Sequence, residues 1–366
     1  MKNLRPITTF LFFMFGIFFA WGQVSYIQTD TLYIELPVIN QGSVKNAREC
    51  YVDYGHKKVR YSPNELKGYG LGNGADYVSK TIQLGDSYKK VFLEALESGD
   101  YSLYYYPGKD GKRFFVAYGD TLIPELLKKT YRKQLKEWSY IDCSELKDDI
   151  NLVKYNKRSL KKFINKYNTK DLSPFPFPKV GLMIGNEMQK LNPIYDVLIA
   201  SGLFRYNYES SFLVGAFIDY PILLSDFSAH LELYYSNHSY SYSKITESED
   251  LLLNVTTSDL KAPLLFRYTL PFRKFRPFVN IGGIYAYNFN PSGFFNYFTT
   301  DGFKVRRSEI SSKHHFGYSV GGGLEYKLNY KNSLFLDFRY SELYGSSPGN
   351  EINYSLMQLS LGFNFR

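Results

Sequence analysis

Long apolar segments are scarce in this sequence. Beyond the first 22 of its 366 residues, no stretch approaches the ~18 consecutive apolar residues that a membrane-spanning helix requires. A helical membrane anchor is therefore excluded from the expected architecture. No catalytic grouping of nucleophile, base and carboxylate stands out, and Gly68, Gly70, Gly72 and Gly74 lack the Lys-Ser/Thr ending of a phosphate loop. The sequence predicts neither an enzyme nor a cofactor site.

The first 22 residues have the features of a secretory signal peptide. Lys2 and Arg5 precede an apolar segment over 7–20, and Ala20-Trp21-Gly22 offers small residues at the positions that a signal peptidase reads. Cleavage is expected before Gln23, and because no cysteine follows at that point, a lipid-modified N-terminus is not expected. The chain is therefore predicted to be exported.

Export bears on how the net charge and the two cysteines are interpreted. The chain carries 44 Lys and Arg against 35 Asp and Glu, a net charge of +9. For an exported protein this balance favours acidic envelope partners such as lipid phosphates over nucleic acid, and a merely soluble basic surface is the alternative. An oxidising periplasm permits a disulfide between Cys50 and Cys143, the only two cysteines, and two buried free thiols are the alternative.

From residue 180 onward the apolar pattern has a period of two, which is typical of strands. In the last segment Leu359, Leu361 and Phe363 share one face, while Gln358 and Ser360 share the other. We count eight such segments, each long enough for a tilted transmembrane strand. They lie near 179–189, 206–220, 227–242, 252–270, 277–290, 314–328, 333–344 and 352–366. An all-β, antiparallel, eight-stranded transmembrane barrel is therefore predicted over 179–366.

The connections between these segments alternate in length. Short ones run over 224–226, 271–274 and 329–332, and long ones over 190–205, 243–251, 291–313 and 345–351. Outer-membrane barrels have short periplasmic turns and longer outer loops, so this alternation predicts sidedness. With an even number of strands, both barrel ends lie at the periplasmic rim.

A soluble barrel with an apolar interior would show the same alternation turned inside out. The polar face here is rich in glycine and in charges of both signs, which suits a narrow lumen filled by ion-paired side chains. The predicted lumen residues are Glu232, Lys261, Arg267, Glu325, Lys327, Asp337 and Arg339. Aromatic residues near strand ends are predicted to form interfacial girdles: Tyr234, Tyr235, Tyr240, Tyr285, Tyr287, Phe289, Tyr340 and Tyr344. We therefore favour the membrane barrel.

Three segments resemble the PorT-like outer-membrane β-barrel family found in Bacteroidota. They are Lys261–Tyr268, Arg276–Gly283 and Gly322–Tyr326. The resemblance covers the C-terminal half and implies a fold and an outer-membrane location. Some members of that family are linked to protein secretion, which is an expectation by analogy for this chain.

Residues 23–172 are predicted to form a mixed α+β periplasmic domain, joined to the barrel by the Pro-rich linker 173–178. Predicted strands are Thr31–Val38, Glu49–Asp53, Lys58–Tyr61, Asp76–Gln83, Tyr101–Tyr106 and Arg113–Tyr118, with turns at Asn73-Gly74 and Asp110-Gly111. Two helices are predicted to begin near Pro124 and at Ser144. The second carries basic residues that suit anionic headgroups, a partner or plain solvent: Lys154, Lys157, Arg158, Lys161, Lys162 and Lys166.

Other candidate sites are weaker. His238, His314 and His315 lie near the loop side, but adjacent histidines point to opposite faces of a strand and no carboxylate stands at ligand spacing, so no metal is predicted. His238, Ser239 and Glu247 are the only group close in sequence that would suit a lipid-modifying enzyme, and ordinary loop polarity explains them better. Lys304, Arg306 and Arg307 lie in an aromatic loop that suits a lipid phosphate, with an ordinary charged rim as the alternative.

The expected function is a non-enzymatic, monomeric outer-membrane barrel that anchors a periplasmic interaction domain, in envelope assembly or protein secretion. Expected partners are outer-membrane lipid and a periplasmic protein, with no nucleic acid. A membrane-embedded enzyme acting on envelope lipid is the first alternative, and a small channel is the second.

Overall fold

The computed structural model describes residues 24–108, 111–119, 121–142, 146–193, 208–245, 249–289, 292–299, 308–309, 313–345 and 352–365. The chain forms two compact units, Met1–Asp171 and Leu172–Arg366. The Pro-rich segment 173–178 therefore belongs to the second unit. No described helix is both long enough and apolar enough to cross a membrane.

The first unit contains eleven described strands and three described α-helices. The strands are β1 Tyr26–Gln28, β2 Tyr33–Glu35, β3 Val38–Ile39, β4 Cys50–Asp53, β5 Lys58–Tyr61, β6 Gly68–Gly70, β7 Asp76–Leu84, β8 Ser87–Glu97, β9 Tyr101–Gly108, β10 Gly111–Tyr118 and β11 Thr121–Leu126. The helices are α1 Ser43–Asn46, α2 Tyr131–Asp142 and α3 Lys157–Asn168. One sheet runs β11-β10-β9-β8-β7-β6-β1-β2 and a smaller one runs β3-β4-β5.

The centre of the larger sheet is buried on both faces. Phe92 and Leu93 are consecutive in β8 and therefore point to opposite faces, yet both are fully buried. On α3 the buried residues Leu160, Phe163, Ile164 and Tyr167 form one stripe at helical spacing. The helix packs against β8 and β9, so the unit has an apolar interior of the ordinary soluble kind.

Neither predicted helix start is the first residue of a described helix. Pro124 lies in β11, an edge strand, at a point where the pairing with β10 shifts register. An edge position with a bulge tolerates a residue without a backbone N–H. The other helix starts at Lys157 because the Asn156 side chain accepts a hydrogen bond from the Ser159 N–H at 2.9 Å and caps it. Ser144 lies outside the described residues.

The second unit confirms the predicted eight-stranded antiparallel barrel. Its strands are β12 Lys179–Pro193, β13 Glu209–Pro221, β14 Phe227–Ile245, β15 Glu249–Thr269, β16 Phe275–Asn288, β17 Ser292–Thr299, β18 Ser308–Glu309, β19 His314–Lys327, β20 Ser333–Gly345 and β21 Ile352–Asn364. The ring runs β12-β13-β14-β15-β16-β19-β20-β21 and closes where β21 pairs with β12. A closed ring leaves no sheet edge.

Two connections on the loop side differ from the prediction. The segment 291–313 contains β17 and β18, and β17 pairs with the outer part of β15 from Glu249 to Thr256. The predicted loop 243–251 is mostly strand, because β14 and β15 continue their pairing as far as Ile245 and Asp250. On the opposite rim the turns after β13, β15 and β19 are short, as predicted.

Candidate functional site

The barrel places polar side chains inside and apolar side chains outside. In β21, Leu359 is 49% exposed, whereas Gln358 on the opposite face is 2% exposed. The same inversion holds in β20, where Phe338 is exposed and Arg339 is buried. A soluble barrel would bury the apolar face, so this arrangement requires lipid around the outside.

A cluster of charged residues fills the middle of the lumen. Both Arg339 Nη atoms donate to Glu232 oxygens at 2.7 Å, and Nη2 also donates to Asp337 at 2.5 Å. His230 lies between two carboxylates, with ring nitrogens 3.2 Å from Asp219 and 2.9 Å from Glu232. Each carboxylate therefore has a donor, which offsets the cost of removing these charges from water.

A second cluster lies toward the loop side of the lumen. The Lys261 ammonium donates to Glu187 and to the Ser236 hydroxyl, the latter at 2.8 Å. Glu187 also accepts from the Tyr234 hydroxyl at 2.9 Å. The Lys261 Nζ atom also lies 3.5 Å from Asp259 Oδ2, so this one ammonium group forms ion pairs with both Glu187 and Asp259.

A third cluster lies near the rim that carries the short turns. Glu325 accepts from Lys179 at 2.5 Å, from Arg276 at 3.2 Å and from Ser333 at 2.5 Å. Lys327 follows Glu325 at the same rim and is half-buried. A charge pair therefore ties β12, the first strand of the barrel, to β19, which is three strands away around the ring.

Aromatic rings fill the space between these clusters. Phe217, Phe278 and Phe335 point inward and pack together. Room for them comes from glycine, since a Cβ at Gly362 would lie 2.2 Å from the Phe335 ring. The guanidinium of Arg267 lies 4.1 Å from the Phe278 ring centre, a cation–π contact. The lumen is thus occupied by side chains along most of its described length.

The Pro-rich segment lies against the turn-side mouth of the barrel. Pro174 and Phe175 are buried, and together with Pro176 and Phe177 they line a cavity of about 40 Å³. Its other walls include Lys179, Arg276 and Glu325 from the third cluster, and Lys327. A cavity of this size holds water molecules but no organic ligand.

Six of the seven predicted lumen residues are buried inside the barrel: Glu232, Lys261, Arg267, Glu325, Asp337 and Arg339. The structure also brings in charged residues and a histidine that the sequence reasoning missed: Lys179, Glu187, Asp219, His230, Asp259 and Arg276. The signal was available, because each has the same strand parity as the inward residues around it. His230, Glu232, Tyr234 and Ser236, for example, alternate along β14.

That parity corrects the positions of two predicted girdle residues and separates the candidate enzyme group. Tyr234 and Tyr240 are 1% exposed and point into the lumen. His238 is buried inside the barrel, while its neighbour Ser239 is on the outer face. Because consecutive strand residues point to opposite faces, His238 and Ser239 do not converge. Glu247 lies outside the described residues.

The remaining histidines also separate. His314 is exposed and hydrogen bonds to the Tyr285 hydroxyl at 2.8 Å, whereas His315 is buried and contacts the Tyr354 ring. Within the described ranges, no three His, Cys, Asp or Glu residues converge as metal ligands. Lys304, Arg306 and Arg307 lie outside the described residues.

The first unit modifies two further predictions. Lys166 is fully buried and donates to the Asp171 carbonyl at 2.7 Å, and Lys157 pairs with Glu94 at 2.6 Å. The outward basic surface of α3 is therefore smaller than predicted. Cys50 is buried, and burial raises the pKa of its thiol to about 12. Cys143 lies outside the described residues, so their pairing stays a prediction.

A family model described as an outer membrane protein β-barrel domain matches residues 178–342. The second unit is an outer-membrane β-barrel. The PorT-like resemblance stays an expectation. A search of curated proteins finds no significant match.

Solved structures similar to this barrel include Ail of Yersinia pestis in complex with the heparin analogue sucrose octasulfate. It is 9% identical with a TM-score of 0.28, covering 52% of this chain and 100% of that one. OprG of Pseudomonas aeruginosa is 14% identical with a TM-score of 0.29, covering 52% and 94%. The outer membrane enzyme PagL is 12% identical with a TM-score of 0.29, covering 49% and 97%.

Proposed function

We propose that this protein is a non-enzymatic outer-membrane anchor for a periplasmic interaction domain, acting in envelope assembly or protein secretion. The observation that carries the proposal is the lumen, which ion pairs and aromatic rings occupy. Such a barrel is a poor conduit, which disfavours the channel alternative. Its contribution is then to hold the first unit at the membrane.

The sidedness of the proposal rests on the barrel connections. The turns after β13, β15 and β19 are short, and Lys179 and Asn364 at the barrel ends lie at the same rim. Short turns face the periplasm in barrels of this kind. Under this proposal the first unit, which precedes Lys179, lies in the periplasm.

Sidedness is tested by adding protease to cells. In intact cells we expect cleavage within 291–313 and protection of 23–172, and in permeabilised cells we expect both to be cut. Cleavage of 23–172 in intact cells would reverse the assignment.

The surface of the first unit best suited to a protein partner is strand β2. It is the edge of the larger sheet, and Leu32, Tyr33 and Ile34 are exposed there, with Tyr33 at 59%. The Thr29 N–H donates to the Leu32 carbonyl, and the Leu36 N–H donates to the Ser25 carbonyl. Because hydrogen-bonded and non-hydrogen-bonded pairs alternate along an antiparallel ladder, Tyr33 and Glu35 direct their backbone N–H and C=O groups away from β1. An extended segment of a partner can pair with such an edge.

A photo-crosslinking amino acid at Tyr33 tests this role in intact cells. We expect a discrete adduct with one envelope protein, and its loss when Ile34→Lys is added. The matched control places the crosslinker at the exposed Lys89 of β8, far from this edge in the sheet order. Equal adducts from both positions, or none from either, would count against the interaction role.

The candidate group for the lipid-enzyme alternative does not converge, since His238 and Ser239 face opposite sides of β14. Replacing His238, His314 and His315 together with Ala should leave the lipid composition of the envelope unchanged. A lost lipid modification in that variant, measured by mass spectrometry of extracted lipids, would make the enzyme the better description.

A further inference from the structure

The outer face of the barrel changes from apolar to polar near the loop side. On β20 the outward residues Leu336 and Phe338 are exposed and apolar, and Glu342 follows on the same face. Glu342 is nine residues beyond Ser333, which is about 20 to 25 Å along the barrel axis for a tilted strand. The apolar band of such barrels is ~25 Å tall. Glu342 therefore lies at the loop-side edge of the apolar band, next to the headgroup region.

Glu342 belongs to a hydrogen-bonded group that spans three neighbouring strands, β20, β21 and β12. Ser355 Oγ donates to Glu342 Oε1 at 2.9 Å, and Asn192 Nδ2 donates to Ser355 Oγ at 2.6 Å. The Tyr340 hydroxyl also donates to Glu342 Oε1. The side chains come from adjacent strands because Glu342 is opposite Ser355 in the register.

This group leaves hydrogen-bonding capacity facing outward. Among the described residues, Glu342 Oε2 accepts no hydrogen bond, and the Asn353 side-chain NH₂ donates none. Both residues are partly exposed. Beside them Tyr344 is 47% exposed, and Phe316 and Tyr318 are exposed on the next strand. The surface thus offers a carboxylate acceptor, an amide donor and aromatic faces together.

These chemical groups select one kind of lipid headgroup. A carboxylate at the surface repels phosphate, whereas it accepts hydrogen bonds from hydroxyl groups. An amide donor and flat aromatic surfaces complement the remaining hydroxyls and the apolar face of a sugar ring. We propose that this outer surface, made of Asn192, Glu342, Tyr344, Asn353 and Ser355, binds the uncharged sugar headgroup of a glycolipid.

The proposal goes beyond the anchoring function and is independent of it. The proposed sidedness decides only which leaflet holds the glycolipid, and it assigns the outer leaflet. Binding to purified protein in micelles does not depend on sidedness, so failure of one proposal leaves the other standing.

Native mass spectrometry of the full-length protein in detergent tests the site. The probes are a monoglucosyl diacylglycerol, a phosphatidylcholine and a phosphatidylethanolamine with matched acyl chains. We expect the glucosyl lipid to be retained about tenfold more than the phosphatidylcholine, the effect of one additional hydrogen bond to a charged group. Glu342→Gln should abolish that preference.

Two further variants serve as a matched control and as a substitute for Glu342→Gln. Ser239→Ala changes an outer-face hydroxyl on β14, away from the site, and should leave the preference intact. Asn353→Ala should weaken it and replaces Glu342→Gln if that variant fails to show the heat-dependent gel shift of a folded barrel. Equal retention of the glucosyl lipid and phosphatidylcholine would overturn the proposal. So would stronger retention of phosphatidylethanolamine, which would mean that an ammonium group is recognised.

Discussion

The two units of this chain use the same antiparallel strands with opposite polarity. In the first unit Phe92 and Phe114 are fully buried. In the barrel Phe338 is exposed, and its neighbour Arg339 is buried. Alternation along a strand separates two faces but does not say which one meets water. The surroundings decide that: the first unit surrounds its apolar faces with protein, and the barrel surrounds them with lipid.

The two units also differ in how deeply their ion pairs are buried. Lys157 and Glu94 in the first unit form a pair in which the Lys157 side chain is 40% exposed. The Arg339 pairs with Glu232 and Asp337 are buried on all sides. Water competes for the former and not for the latter, so the same chemistry should have unequal effects on stability.

Arg339→Ala should have the largest effect. It leaves the Glu232 and Asp337 carboxylates buried without their main cation, at a cost of ~3 to 5 kcal/mol to barrel stability. Lys157→Ala, the matched change in the first unit, should cost less than about 1 kcal/mol. Both stability losses can be measured by urea titration in lipid vesicles, with hydrogen exchange of peptides from each unit as the readout. Equal small losses would mean that the lumen charges are solvated.

Leu361→Arg should come next. Leu361 is exposed on the outer face, so the change places a cation in the hydrocarbon at a cost of ~2 to 4 kcal/mol near the midplane. Gln358→Ala should cost ~1 kcal/mol or less, because the buried Gln358 Nε2 has no hydrogen-bond partner among the described residues. Folding equilibria in vesicles compare the two. Full barrel formation in lipid-free buffer, or greater damage from Gln358→Ala, would contradict the inverted polarity.

Asn156→Ala tests the soluble-type unit at a smaller scale. It removes the cap of α3 and should destabilise the first unit by ~1 kcal/mol without affecting the barrel. Asn156→Asp keeps an oxygen at the cap and adds a favourable charge at the helix N-terminus, so it should be neutral or stabilising. Hydrogen exchange over Lys157–Asn168 reports the effect. If both variants behave alike, the cap does not set the start of the helix.

Cys50 gives the smallest expected effect on stability and a clear effect on reactivity. Burial raises the pKa of its thiol to about 12, so at pH 8 it should carry about a thousandfold less thiolate than an ordinary thiol. In a Cys143→Ser background, iodoacetamide should label Cys50 only after unfolding. The folded state binds the Cys50 thiol proton more tightly than the unfolded state does. The protonated thiol therefore contributes fully to the stability of the first unit below about pH 9, and this contribution is lost as the pH rises toward 12. Rapid labelling of the native protein would show that Cys50 is accessible.

Much of the barrel was predictable because its strands repeat one simple rule. Outward residues such as Leu359 and inward residues such as Gln358 alternate along each strand, and short turns alternate with longer loops between the segments. The first unit was harder to predict, since β8 is buried on both faces and shows no alternation over Val91-Phe92-Leu93. The helix start predicted at Pro124 was wrong because proline is tolerated both in a first helical turn and in an edge strand. Only the position of β11 at the sheet edge separates these two structures.

The sequence by itself determined the strand period, the number of barrel strands and the two faces of each, because these follow from local alternation and turn chemistry. Tertiary structure alone decided which charges meet. Glu187 and Lys261 are on strands far apart in sequence, as are Glu232 and Arg339. The stagger between strands around the closed ring sets which inward residues share a level. The outward group of Asn192, Ser355 and Glu342 depends on the same register, so it too appears only when the barrel closes.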